Sequence, residues 1–354
     1  MSAPSSDPAR DERLSRALAS LRGLAVGDAL GSQFFVPANL PCLRSRELPP
    51  GHWQWTDDTE MAASVVAVLA AHGHIDQEAL AASFAAHHDF DRGYGPAVNR
   101  MLRLIRQEGG DWRELAADLF DGQGSWGNGG AMRVAPLGAW FADDPERAAD
   151  EAERSAEVTH RHPEAVAGTR AVAAATALVA ADGPGAADNR GPAGSSDPAD
   201  SSDPAGGSDP AGGSDPAEGP GGTAAGSATA EPLTAEGLLA RVQELVPRSA
   251  VQAGLRRAVD LLDYADVGTV AAVLGCGRRT STQDTVPFTL WAAARHLGDF
   301  RAAIWTTASA GGDVDTTCAI VGGIVAAAGS AVAPPEEWRE RTEGFPTWLL
   351  DAVG

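Results

Sequence analysis

Two short acidic clusters carry the side chains best suited to chemistry. In WTDDTEM (55–61), Thr56, Asp57 and Asp58 stand ahead of the apolar run AASVVAVLAAHG; in GGDVDTT (311–317), Asp313, Asp315 and Thr316 stand ahead of CAIVGGIVAAAG. Hydroxyl and carboxylate oxygens without histidine or cysteine are the ligand set of a hard cation, Mg2+, Mn2+ or Ca2+. If the two segments face one another, their carboxylates crowd one small volume, which cations relieve, and a two-metal site is the natural resolution. Helix capping is the competing use. Asp and Thr accept the free N–H groups of a first turn, carboxylates suit the positive end of the helix dipole, and Asp57 with Glu60 has capping-box spacing. Either cluster alone fits capping better; the pair, each leading into an unusually apolar helix, tilts modestly toward metal.

A third segment, SWGNGGAMR (125–133), places Gly127, Asn128, Gly129 and Gly130 where backbone N–H groups can turn toward an anion, with Arg133 close by. A plain turn has the same composition. Trp126 suits either stacking on a flat ring or filling core space. THRHP (159–163) offers His160 and His162, which without acidic neighbours make a poor zinc site.

These residues need helices to position them. Leu14, Ala17, Leu18, Leu21 and Ala25 recur at helical spacing, with Asp11 near the expected start; Val98, Met101, Leu102 and Ile105 repeat the pattern, as do Val251, Leu255, Val259 and Leu262. Alternating β-branched runs are nearly absent, so the expected fold is all-α. Between 182 and 231 the chain is Gly, Pro, Ser, Asp and Ala with recurring SDPA units, a composition that cannot offset its ordering entropy. The expected organisation is one all-α domain over 12–181 and 232–354, a disordered insertion at 182–231 and a disordered N-terminus at 1–11. An inter-domain linker is the other reading of 182–231, disfavoured because the acidic clusters flank it and need each other.

Composition narrows the chemistry. The 354 residues, 44% of them hydrophobic, suffice for a sizeable core. The net charge of −21 argues against a nucleic-acid or anionic-membrane partner. All 27 basic residues are arginine, which excludes a Schiff-base lysine, a pyridoxal phosphate anchor and a P-loop. Cys42, Cys276 and Cys318 are scattered and odd in number, as free thiols in a reducing compartment would be. With no signal-peptide pattern and an apolar run at 318–328 too short for a span, a cytoplasmic location is expected.

Taken in order, GLAVGDALG (23–31), WTDDTEM (55–61), GNGGAMRVAPLG (127–138), VTHRHPEAVAGT (158–169), TVPFTLWAA (285–293) and GGDVDTTCAIVGGIVAA (311–327) resemble the ADP-ribosylglycohydrolases related to the dinitrogenase-reductase-activating glycohydrolase. The resemblance runs along nearly the whole chain outside 182–231. It implies a compact, mainly orthogonal all-α fold, a binuclear Mg2+ centre (Mn2+ in some members) and hydrolysis of an ADP-ribosyl glycosidic bond. The metal ligands it implies are Thr56, Asp57, Asp58, Asp313, Asp315 and Thr316, with Asp57 or Asp58 assisting the attacking water. It further implies that Gly127 to Met132 hold the diphosphate and ribose and that His160 lies near the substrate; Trp126, adjoining that segment, is the expected stacking residue. The expected partner is an ADP-ribosylated protein or a small ADP-ribosyl compound; a relative that only binds ADP-ribose is the non-enzymatic alternative. One departure stands out: several family members carry a Glu four residues beyond the second glycine of G-D-A-x-G, where this chain has Phe35. That disfavours serine-linked substrates and favours arginine-linked ones.

Overall fold

The computed structural model describes residues 7–184 and 233–354. Every regular element among them is a helix, and extended pairing is confined to isolated bridges between Trp53 and Thr342 and between Gly127 and Ser281. The expected periodic segments become the helices Pro96–Glu108 and Ala250–Asp260. Residues 8–11, expected to be disordered, instead open the long helix Pro8–Ser32: the Asp7 carboxylate accepts from the Ala9 N–H and Pro8 presets the first φ. Likewise Asp182 closes the helix Pro163–Asp182 and does not belong to an insertion; the rest of that expectation, 185–231, lies outside the described residues.

Most outer helices start on their own capping side chain. Asp144 accepts from the Arg147 N–H at 3.0 Å, Thr234 from Gly237 at 3.0 Å and Asp299 from Ala302 at 2.9 Å. Each satisfies one of the first-turn donors that a helix leaves open. Among the helices without such a cap are Asp57–His72 and Val314–Ala326, whose preceding residues Thr56 and Asp313 are of capping type yet make no cap hydrogen bond with their side chains.

The centre is built from helices buried almost all round, the alanine-rich Pro163–Asp182 with Thr282–Arg295 and Val314–Ala326, together with the second half of Pro8–Ser32. One continuous apolar core runs from Leu14 to Leu349, drawing on the chain before 184 and after 233 alike. Pro163–Asp182 is long and apolar enough to cross a membrane, but it is mostly buried in this core. Cys42, Cys276 and Cys318 are free thiols, the last two buried.

The closest helix pair sets the site. Gly23, Gly27 and Gly31 form a stripe along Pro8–Ser32 that lies against Val314–Ala326. A Cβ added at Gly27 would fall 2.1 Å from the Cys318 carbonyl oxygen, and one at Gly31 would fall 2.6 Å from that of Val314. Only glycine permits this approach, which brings Asp28 on one helix beside Asp315 on the other.

Candidate metal centre and active site

The segment leading to the first cluster is fixed from outside. Trp53 donates its N–H to the Arg341 carbonyl and accepts from Glu343, while Arg92 stacks over Trp55, donates to the Trp55 carbonyl and pairs through both terminal nitrogens with Glu343. Thr56 therefore enters the helix Asp57–His72 at a defined angle.

That helix is capped by a residue sequence reasoning left without a role. The fully buried Asp28 carboxylate accepts the N–H of Thr56 (2.9 Å) and of Thr59 (3.2 Å) and the hydroxyls of Thr56 (2.8 Å) and Thr59 (2.6 Å). Capping is thus supplied by another helix, which frees the cluster's own oxygens. Nor does Glu60 close a capping box; its carboxylate accepts from the Tyr94 hydroxyl at 2.6 Å and the Asp89 N–H at 3.1 Å. A signal for Asp28 did exist in the sequence: a carboxylate amid the small apolar residues GLAVGDALG demands buried partners.

The two clusters meet. Asp58 Oδ2 lies 3.1 Å from Thr56 Oγ1 and 3.3 Å from Thr316 Oγ1, and oxygens of Asp28, Asp58 and Asp315 lie within 4.8 Å of one another. Asp58 is 1% exposed, yet its Oδ1 has no hydrogen-bond partner. A buried carboxylate oxygen left open among other carboxylates fits a cation, since nothing else here offsets its lost hydration. The electrostatics agree. Burial, then the charge of Asp28, pushes Asp57 up to about 8. Burial and neighbouring carboxylates raise Asp58 and Asp315 well above the usual range, and burial raises Asp28 to about 6. Asp57 is only partly buried, at the rim, whereas Asp58 is enclosed.

The glycine-rich segment is bound to the second cluster. Asn128 Nδ2 donates to Asp313 Oδ2 at 2.8 Å and to Thr285 Oγ1 at 3.1 Å, and the Asn128 N–H donates to the Thr280 carbonyl. Outside their own short turn, Asn128–Gly130, no described residue accepts the N–H groups of Gly129 and Gly130. These glycines also make room. A Cβ at Gly129 would fall 2.7 Å from His160 Cε1, and one at Gly130 would fall 2.8 Å from Thr169 Oγ1. Met132 is buried in the core, so it supports the segment from beneath.

His160 is buried and neutral, held down to about 3 by desolvation and then by the Arg133 charge. Arg133 Nη1 donates to Thr159 Oγ1, which lies 2.7 Å from His160 Nδ1, and the ring's Nε2 faces Gly127 and Gly129. The expectation that Arg133 attends an anion is corrected. It is wholly buried, bonded to Thr159 and the Ser155 carbonyl and lying over the Phe84 ring.

Trp126 is partly exposed between Phe120 (centroids 4.8 Å apart) and His162 (5.7 Å). Phe120 is exposed and held in the left-handed region, φ 53°, which props its ring beside Trp126. His162 caps the helix Pro163–Asp182 through Nδ1, a structural use. Phe35 ends a short turn after Ser32 and is 53% exposed, so no carboxylate stands at that position.

Comparison with known proteins fits this geometry. ADP-ribosylhydrolase ARH3 of Gallus gallus is 36% identical over 160 residues, spanning 40% of this chain and 43% of that protein. The ADP-ribosyl-[dinitrogen reductase] glycohydrolase of Rhodospirillum rubrum is 31% identical over 159 residues, 42% of this chain and 52% of its own length. The match thus spans about half the length of these relatives or less. A solved ADP-ribosylglycohydrolase-related protein complex has the same fold, with a TM-score of 0.57 at 23% identity, covering 97% of this chain and 95% of that one. The family model for ADP-ribosylglycohydrolase matches residues 9–354, a span that holds both acidic clusters, Asp28 and the glycine-rich segment, and on that match the chain belongs to the ADP-ribosylglycohydrolase family.

Proposed function

We propose that this chain hydrolyses an ADP-ribosyl glycosidic bond at a centre holding two divalent cations, Mg2+ or Mn2+. The observation that carries the reading is the buried Asp58, with Oδ1 open and Oδ2 beside the hydroxyls of Thr56 and Thr316, grouped with the carboxylates of Asp28 and Asp315. Thr56, Asp57, Asp58, Asp313, Asp315 and Thr316 would hold the cations, which when bound supply Lewis-acid polarisation of ribose hydroxyls and a more acidic water. Asp57, at the rim, takes the proton from the attacking water, and the enclosed Asp58 serves as ligand. Asn128 keeps Asp313 in place. The N–H groups of Gly129 and Gly130 donate to the diphosphate, His160 presents Nε2 on the same side, and Trp126 with Phe120 stacks on the base.

The favoured substrate is ADP-ribose on a modified protein, arginine-linked, because Phe35 supplies no carboxylate. The exposed Phe35 also favours a second reading, a small ADP-ribosyl or ribosyl compound admitted past an apolar lip. Neutralised carboxylates serve chemistry better than passive binding, which argues against a non-catalytic relative. The deciding assay incubates the protein with arginine-, serine- and acid-linked ADP-ribosyl peptides and O-acetyl-ADP-ribose, with Mg2+ and with EDTA, beside Asp315→Ala. Release from the arginine-linked peptide alone, lost with EDTA and in the variant, is expected. Equal inactivity of wild type and variant on all substrates would overturn hydrolysis.

A further inference from the structure

We propose that Asp28 is a positioning residue for the cation centre: its Oδ1 accepts the one hydrogen bond that the Thr56 hydroxyl can donate, so that a lone pair of Thr56 Oγ1 faces the space bordered by Asp58 and Thr316. The inference rests on the two-cation reading above.

The two oxygens of Asp28 do separate work. Oδ2 accepts the N–H groups of Thr56 and Thr59 and the Thr59 hydroxyl, which is the helix cap. Oδ1 accepts only the Thr56 hydroxyl, at 2.8 Å. A threonine hydroxyl has one proton and two lone pairs. Thr56 Oγ1 also lies 3.1 Å from Asp58 Oδ2, and it cannot donate to both carboxylates at once. The shorter contact, with a carboxylate whose plane three further bonds fix, decides for Asp28. Thr56 Oγ1 and Asp58 Oδ2 are then bare oxygens 3.1 Å apart. Neighbouring ligands around an octahedral cation with bonds of about 2.0–2.1 Å sit about 3 Å apart. The open Asp58 Oδ1 is an independent sign that this space receives a cation. A buried carboxylate that orients a ligand by accepting its hydrogen bond is how outer partners tune metal sites in general.

Asn at position 28 separates the two roles. Its carbonyl oxygen, placed where Oδ2 lies, keeps the cap; its NH2 group, where Oδ1 lies, donates to Thr56 Oγ1, fills the lone pair and reverses the bond. Mn2+ titration calorimetry and thermal unfolding in EDTA are measured for wild type, Asp28→Asn and Thr59→Val. Asp28→Asn is expected to weaken Mn2+ by about 10–100-fold while its metal-free unfolding midpoint stays at or above that of wild type. Thr59→Val, which removes a cap bond and leaves the Thr56 hydroxyl alone, is expected to lower the midpoint with Mn2+ affinity unchanged. Asp28→Asn binding Mn2+ like wild type, or Thr59→Val weakening it equally, would overturn the inference. Wild type binding no Mn2+ would instead overturn the two-cation reading, and the inference with it. If Asp28→Asn does not fold, neutron diffraction on wild type decides: a deuteron on Thr56 Oγ1 aimed at Asp28 supports the inference, and one aimed at Asp58 overturns it.

Discussion

Asp299 and Asp58 are both carboxylates near the start of a helix, and they live under opposite conditions. Asp299 is exposed and accepts the Ala302 N–H; Asp58 is buried, with one oxygen bonded to nothing. The same contrast holds more widely: most outer helices cap themselves, whereas the helix Asp57–His72 borrows its cap from Asp28, and Asp313 gives its side chain to Asn128. A capping carboxylate is satisfied within its own turn. A carboxylate relieved of capping, and still buried, is available to something the chain does not itself contain.

Removing the two kinds of carboxylate should therefore act in opposite directions. Asp58→Ala is expected to reduce hydrolysis at least a thousandfold while leaving the metal-free protein as stable as wild type or more so, because a buried carboxyl oxygen without a partner is gone; steady-state rates and unfolding in EDTA measure both. A large loss of stability would return Asp58 to the structural class. Next in size is Gly27→Ala. Its Cβ meets a carbonyl 2.1 Å away, so the helices must part at a cost of about 3 kcal/mol, with a matching loss of Mn2+ affinity.

The pH dependence sharpens the comparison further. Asp57 at about 8 and Asp28 at about 6 are raised above the ordinary 3.8, so the folded, metal-free protein binds more protons than the unfolded chain. Its stability is fullest below about pH 4 on their account and declines as pH rises toward 8. Unfolding scans in EDTA should show a midpoint falling across pH 5–8, and saturating Mg2+ should remove the fall. Asp299→Ala is a smaller perturbation, about 1 kcal/mol of stability with Mn2+ affinity untouched. Smallest of all is excision of 186–231. The Leu233 N–H already donates to the Asp182 carbonyl at 3.4 Å and Arg241 pairs with Asp182 at 2.8 Å, so the chain re-enters where it left. Excision should leave Mn2+ affinity and cooperative unfolding unchanged, which chemical denaturation would verify.

The acidic clusters were legible because each is local: hydroxyl and carboxylate types at fixed spacing ahead of an apolar helix. Their convergence was legible only as a pair, since neither alone distinguishes ligand from cap. What escaped reading depends on partners distant in sequence. Asp28 takes its meaning from Thr56 and Thr59, and Glu60 from Tyr94, contacts no window of the chain displays. Arg133 misled for a related reason. Its neighbourhood in sequence is the glycine-rich segment, but its neighbourhood in space is Ser155, Thr159 and Phe84. Helix starts erred modestly, because Asp7 and Pro8 begin a helix that Asp11 had been expected to open.

The glycine stripe of Pro8–Ser32 bears on how the centre fills. Where two helices touch main chain to main chain, the separation of the backbones that carry Asp28 and Asp315 is fixed. Loading should then be an event of charge with little change of shape: cation uptake with release of protons, a heat-capacity change near zero because no apolar surface is newly covered, and rates governed by shedding of water from the ion.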